Sequence, residues 1–154
     1  MNPSTPFLFL AFAATALVAA PEATPPTPLP PQPSMAECVN TLDLARATRT
    51  NNGFQFWFAG RDLADGKTLK MSIVAPRSGI HAPHRHDEDE FYFVLEGTAE
   101  VTLNGETATI GPNSSFYCPR WSEHGIRNVG DTELRYLVIK QYNPENPAAA
   151  PTRS

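Results

Sequence analysis

The feature that most constrains the fold is an alternation of apolar and polar residues on both sides of Asn104-Gly105. The flanking segments, Ala99–Leu103 and Glu106–Ile110, each have a period of two. A two-residue turn between paired strands needs positive φ values, which Asn and Gly adopt more readily than other residues. The pattern therefore predicts a tight β-hairpin in the middle of the chain.

Other short segments from residue 54 onward have the same strand character. In chain order, the predicted strands are 54–58, 69–74, 90–95, 99–103, 106–110, 115–118, 125–129 and 133–142. Turn residues separate them, as at Asp65-Gly66 and Gly111-Pro112-Asn113. Many short strands with such turns predict an all-β sandwich or barrel. Residues 36–47 fit a short helix and a covering strand equally well.

Composition changes sharply at both ends of the chain. An apolar run at 7–20 predicts that residues 1–20 are a secretory signal peptide or a retained N-terminal anchor, since the run is short for a membrane span. Residues 21–34 form a Pro-rich linker. The folded domain is predicted at 35–143, and 144–154 is a disordered Pro/Ala-rich tail. We therefore expect export, to the periplasm or the exterior, with no membrane span in the mature protein unless the first segment is retained.

Charge and cysteine content exclude several classes of protein. The net charge is −4 and the chain has no basic cluster, so nucleic acid is not an expected partner. The two cysteines, Cys38 and Cys118, are too few for a disulfide framework. Export would allow one bridge between them, and two isolated buried thiols are the alternative.

The histidines carry the strongest chemical signal. Three of the four lie at 81–86, and His124 is the fourth. Residues i and i+2 of an extended chain point the same way, so His84 and His86 share a face, and Glu90 follows them. Imidazole suits Zn, Cu, Fe and Ni, and a carboxylate adds a hard oxygen. The spacing predicts a metal site, with a chance surface pair of histidines as the alternative.

These two segments resemble the two motifs of the cupin superfamily over about residues 68–141. The matched positions are His84, His86, Glu90, Gly97, Pro119, His124 and Asn128. Ser78, Asn113 and Trp121 stand where the family has glycine. Asn tolerates positive φ, so Asn113 is a mild departure, whereas Trp121 is a larger one.

The resemblance implies a small double-stranded β-helix barrel of the cupin, jelly-roll-like kind. It also implies one divalent metal ion, of Fe, Mn, Ni, Cu or Zn. The implied ligands are His84, His86, Glu90 and His124. The implied activity is metal-dependent chemistry on a small organic molecule, and a dioxygenase of the quercetinase type is favoured. The alternatives are an isomerase or lyase of sugars or hydroxy-acids, and a non-catalytic exported cupin that binds a small ligand.

Further residues near the motifs are candidates for the site. Tyr92, Tyr117 and Glu123 are candidates for proton transfer, and Arg120 and Trp121 for contacts with substrate as a carboxylate clamp and an aromatic wall. Packing or solvation is the alternative for each. His81 lies outside the motif and is expected at the surface or beside the pocket. The aromatic segment 54–58 fits both a homodimer interface and core packing.

Overall fold

The computed structural model describes residues 32–60, 66–142 and 154. Within them, Pro33–Ser154 belong to one compact unit. The predicted signal segment at 1–20, most of the linker at 21–34 and most of the tail at 144–154 lie outside the described residues. No helix in the described ranges is both long and apolar enough to cross a membrane.

Nearly all the regular structure is β-strand. The elements are α1 (Met35–Cys38), β1 (Thr48–Thr50), β2 (Gly53–Ala59), β3 (Lys67–Val74), β4 (Glu90–Glu96), β5 (Ala99–Leu103), β6 (Glu106–Ile110), β7 (Ser115–Cys118), β8 (His124–Asn128) and β9 (Leu134–Gln141). The all-β prediction is confirmed, and most predicted strands agree with the observed ones to within two residues.

The strands form two antiparallel sheets that enclose one core. The larger sheet has the order β1-β2-β3-β9-β4-β7, and the smaller has the order β6-β5-β8. Both contribute inward-facing residues to the apolar cluster, which contains Val74, Tyr92, Val94, Ala99, Val101, Cys118, Ile126, Leu134, Tyr136 and Val138. Alternate residues of each strand face this cluster, as the period of two in the sequence requires.

Two tight turns depend on unusual backbone angles. Asn104 and Gly105 have φ values of 49° and 87°, and they join β5 to β6 as the sequence predicts. Gly97 follows β4 with a φ of 85°, and a Cβ at this position would lie 2.5 Å from the carbonyl oxygen of Glu133. Only glycine fits here without a shift of the backbone.

The segment before β1 contains a short helix and no covering strand. Ser34 caps α1, since the Glu37 N–H donates to the Ser34 hydroxyl while the Glu37 carboxylate accepts from the Ser34 N–H. This capping box identifies the helix start in the sequence. Of the two interpretations of residues 36–47, the helix is found only as far as Cys38, and residues 39–47 are turn and irregular structure.

The structure bears on two questions that the sequence left open, whether Cys38 and Cys118 form a bridge and whether the aromatic segment 54–58 packs in the core. Cys38 is exposed, Cys118 is buried, and both are free thiols, so the predicted option of a bridge is wrong. In β2, Phe56 is only 1% exposed and packs edge-to-face on Phe58 with ring centroids 5.0 Å apart. Part of the aromatic segment is thus packed within the chain, and the homodimer stays a prediction.

Asn128, at the end of β8, ties three backbone segments together. It is fully buried, and its amide nitrogen lies 3.1, 3.0 and 2.8 Å from the carbonyl oxygens of Val74, Ala75 and Thr132. Its side-chain oxygen accepts from the Gly130 N–H at 2.8 Å. The side chain thereby fixes β8, the end of β3 and the loop before β9 relative to one another.

Candidate metal centre

The backbone brings the two histidine segments side by side. His84 and His124 form an antiparallel bridge, in which each N–H donates to the other's carbonyl oxygen at 3.0 Å. The chain is tightly packed here, because a Cβ on Gly125 would lie 3.2 Å from Pro83. The loop that carries the His-x-His pair is therefore held directly against the start of β8.

Four side chains converge at this bridge. The ring nitrogens of His84, His86 and His124 lie within 4.8 Å of one another. Glu90, at the start of β4, places its Oε2 atom 3.3 Å from His124 Nε2 and 3.6 Å from His86 Nε2. The structure thus brings all four predicted ligands together, three imidazoles and one carboxylate, on the inner side of the barrel.

The ring nitrogens have the environment that a metal ion requires. His124 is fully buried, and its Nδ1 lies 2.9 Å from the Ser122 carbonyl oxygen, so Nε2 is left to face the centre. Buried nitrogens of all three rings lack a well-aligned hydrogen-bond partner, namely His84 Nδ1, both nitrogens of His86 and His124 Nε2. Buried polar atoms are normally satisfied, so such a cluster fits a bound cation.

The protonation states also suit a metal. Burial opposes ionisation of Glu90, but contacts from His124, His86 and Tyr92 outweigh it and hold the pKa of Glu90 well below its usual range. Burial, reinforced by the neighbouring imidazoles, lowers the pKa of His84 to about 4. At neutral pH the carboxylate is therefore charged and His84 is neutral, which are the forms that bind metals.

Tyr92 supports the carboxylate from inside the core. Its hydroxyl donates to Glu90 Oε2 at 2.7 Å, and the residue is 3% exposed. Burial and the nearby Glu90 charge raise the pKa of Tyr92 far above its ordinary value. Tyr92 therefore stays protonated and orients Glu90.

A buried ion-pair network, which the sequence analysis missed, lies behind the centre. Glu88 Oε2 is 3.1 Å from His86 Nδ1 and 3.2 Å from Lys140 Nζ, and Lys140 Nζ is 3.9 Å from Glu90 Oε1. The alternation of inward and outward positions in the sequence does indicate this network. Lys140 continues the inward series Leu134, Tyr136 and Val138, and Glu88 lies midway between His86 and Glu90. The acidic run 87–90 is thus only partly solvated.

The structure places one candidate for proton transfer, Tyr117, and two candidates for contact with substrate, Arg120 and Trp121, on the outer surface. In β7, Cys118 faces inward and Tyr117 faces outward, where its hydroxyl donates to Asp89. Arg120 pairs with the same carboxylate at 3.2 Å, on the outer surface. Trp121 is 64% exposed and adopts a positive φ of 64°, so it makes the turn that glycine would make and directs its side chain to solvent.

Three further residues near the histidine segments or the core lie outside the group of four side chains. Glu123 is half-buried, and its backbone N–H donates to the Asn104 side chain. His81 is exposed, with its ring edge-to-face against His84 at 4.5 Å between centroids. Cys118 lies close enough to Glu90 and His124 to form a second group of potential ligands. Burial raises the pKa of Cys118 to about 12, so its thiol is neutral.

Comparison with known protein families identifies the domain. The Cupin domain family model matches residues 70–140. The chain is 39% identical over 80 residues to a 5-nitrosalicylic acid 1,2-dioxygenase of Bradyrhizobium sp, which is 52% of this chain and 38% of that protein. It is 32% identical over 79 residues to the mannose-1-phosphate guanylyltransferase ManC of Salmonella typhimurium, which is 51% of this chain and 16% of that protein. The chain therefore spans less than half the length of either relative.

Solved structures share the fold at low sequence identity. A predicted oxalate decarboxylase of Thermotoga maritima superposes with a TM-score of 0.59 and 18% identity over 68% of this chain and all of that one. A cupin superfamily protein of Desulfitobacterium hafniense superposes with a TM-score of 0.51 and 20% identity over 62% of this chain and 83% of that one. The predicted double-stranded β-helix fold is confirmed by these likenesses. The family match identifies residues 70–140 as a cupin domain.

Proposed function

We propose that this cupin is a metal-dependent enzyme that acts on a small organic molecule, and that its reaction is a dioxygenation. The observation that carries the proposal is the convergence of three imidazoles and Glu90 around buried ring nitrogens that lack hydrogen-bond partners. In a chance cluster of surface histidines, those nitrogens would be exposed and would form hydrogen bonds with water.

In the proposed centre, one divalent metal ion is held by His84, His86, Glu90 and His124. When bound, such an ion supplies Lewis acidity or, if it is redox-active, chemistry with O2. The neighbouring residues of the chain orient the imidazole ligands. Glu88 lies against the outer nitrogen of His86, and the Ser122 carbonyl sets the tautomer of His124.

The choice of dioxygenation rests on similarity. Of the two relatives compared, the one with the higher identity is named for oxidation of 5-nitrosalicylic acid. The likeness covers only part of that protein, so it supports the reaction class and not a particular substrate. The same ligand set serves the quercetinase-type reaction expected from the sequence, but nothing in the site favours a flavonol over a simpler phenol.

A second candidate, a metal-dependent enzyme of sugars, is favoured by a different observation. Several relatives are named mannose-1-phosphate guanylyltransferases, with 27–32% identity to this chain. They match over 16–18% of their length, so only a part of each resembles this domain. An isomerase or lyase at the same metal centre would need no O2.

Metal content and oxygen uptake of the full chain test the proposal. We expect about one redox-active metal per chain by mass spectrometry, and O2 consumption with hydroxybenzoates as probes. His86→Asn should lose both. His81→Asn is the matched control, because His81 is exposed and lies in the same loop. Zinc at full occupancy without O2 uptake would support the sugar enzyme, and no metal in any variant would refute a metal enzyme altogether.

A further inference from the structure

A second lysine faces the inside of the barrel near the centre. In β3, Thr68, Ser72 and Val74 are buried at 3%, 0% and 1% exposure. Lys70 has the same strand parity, so its side chain points to the same inner face. The sequence shows a lysine at an inward position here, as it does for Lys140.

Lys70 has an aromatic neighbour, and no acidic partner in the part of the chain that the structure describes. It pairs across the strands with Trp57, and its Nζ lies 5.1 Å from the Trp57 ring centroid. Lys140 already pairs with Glu88 and approaches Glu90. Among residues 32–60, 66–142 and 154, no carboxylate lies within ion-pair distance of Lys70.

The register places Lys70 on the same interior face of the barrel as Glu90, one of the proposed metal ligands. Lys70 pairs with Val138, which pairs with Tyr92, two residues from Glu90. Two strand spacings and two residue rises put the backbone positions of Lys70 and Glu90 about 12 Å apart. A small organic acid that spans this separation would contact both Lys70 and a metal held beside Glu90.

The balance of charge at this wall favours an anion. Two carboxylates, Glu88 and Glu90, face two ammonium groups, Lys70 and Lys140. A divalent metal would leave the interior net positive. Burial lowers the pKa of Lys70, although the nearby Glu90 opposes this, so a bound anion would relieve an unfavourable desolvation.

We propose that Lys70 binds the carboxylate of a small organic acid, whose other end reaches the centre formed by His84, His86, Glu90 and His124. The identity of the acid as the substrate rests on the proposed function, whereas the carboxylate site itself does not. A phosphate fits less well, since phosphate sites use several converging donors. Here a single ammonium, that of Lys70, lacks a carboxylate partner within the described residues.

Binding of a matched pair of probes tests this assignment. Benzoate and benzamide have nearly the same shape and differ in charge. Isothermal titration calorimetry on the metal-loaded full chain gives their Kd values for the wild type, Lys70→Met, Lys70→Arg and Lys67→Met. Lys67 is the matched control, because it lies in the same strand and is exposed. The metal content of each variant is measured alongside.

The wild type should bind benzoate about tenfold or more tightly than benzamide, as expected for a hydrogen bond between charged groups. Lys70→Met should reduce this preference to about twofold or less, while Lys70→Arg and Lys67→Met retain it. If Lys70→Met fails to fold, Lys70→Gln provides the same comparison.

Two results would overturn the carboxylate site. One is a wild type without preference for benzoate. The other is a preference that survives in Lys70→Met at unchanged metal content, which would place the carboxylate on the metal itself. A preference that depends on Lys70, in a protein that consumes no O2, would support the site while refuting the proposed oxidation.

Discussion

Replacing Asn128 by Leu should destabilise the domain by about 3 kcal/mol. The amide nitrogen has two N–H bonds shared among the carbonyl oxygens of Val74, Ala75 and Thr132, and the side-chain oxygen accepts one bond from Gly130. The side chain therefore makes the equivalent of three full hydrogen bonds. At about 1 kcal/mol net for each, their loss amounts to about 3 kcal/mol.

Leucine branches at the same side-chain atom as asparagine, so no cavity is left, but it is larger, and any packing strain adds to the loss of the hydrogen bonds. Urea denaturation of the metal-free full chain, followed by circular dichroism, gives the free energy of unfolding and the m-value. Asn52→Leu is the control. Asn52 is exposed and donates one bond, to the Gly79 carbonyl oxygen at 2.7 Å, so its replacement should cost about 1 kcal/mol or less.

A loss below about 1 kcal/mol for Asn128→Leu, at an unchanged m-value, would refute the role of Asn128 as the tie between β8 and its neighbouring loops. A changed m-value would instead mean that the variant unfolds from a less compact state. The wild type should also keep its metal affinity to a higher urea concentration than the variant, because β8 begins at His124.

Three further predictions concern pH, thiol reactivity and a turn. The pKa of His84 is about 4 in the native chain and about 6.5 when unfolded, so between these values only the unfolded state binds the proton. Metal-free protein should lose stability as the pH falls from 6.5 to 4, and His84→Asn should lose less; equal slopes in urea titrations would contradict this. Native protein should react with a thiol reagent at exposed Cys38 and not at buried Cys118, and denatured protein at both; labelling of Cys118 in the native state would show that it is accessible. Gly97→Ala should cost about 1–3 kcal/mol, because its Cβ would meet the Glu133 carbonyl at positive φ, and an unchanged urea midpoint would be the opposing result.

The strands and the shared face of His84 and His86 could be predicted from the sequence because their signals are local, whereas His124 lies in a distant segment and was added by the resemblance to the cupin motifs. A period of two identifies a half-buried strand without knowledge of its partner, and Asn104-Gly105 specifies its turn by φ preference alone. The spacing of His84, His86 and Glu90 likewise depends only on the geometry of one segment.

What the sequence left open depends on contacts between distant segments. The outward orientation of Tyr117 follows from which face of β7 meets the core, and Arg120, just beyond that strand, pairs with the same partner, Asp89. The roles of Glu88 and Lys140 appear only once β4 and β9 are paired, because each charge alone is typical of a solvated surface.

The bridge between His84 and His124 has a consequence for the order of events in folding. It joins positions that are far apart along the chain, and such contacts form slowly because the loop between them must first close. If the bridge is absent from the folding transition state, a metal held across it stabilises the native state and not the transition state. We therefore expect loading with metal to slow unfolding while leaving the refolding rate nearly unchanged. The half-life of the protein at high temperature would then be set by its unfolding rate.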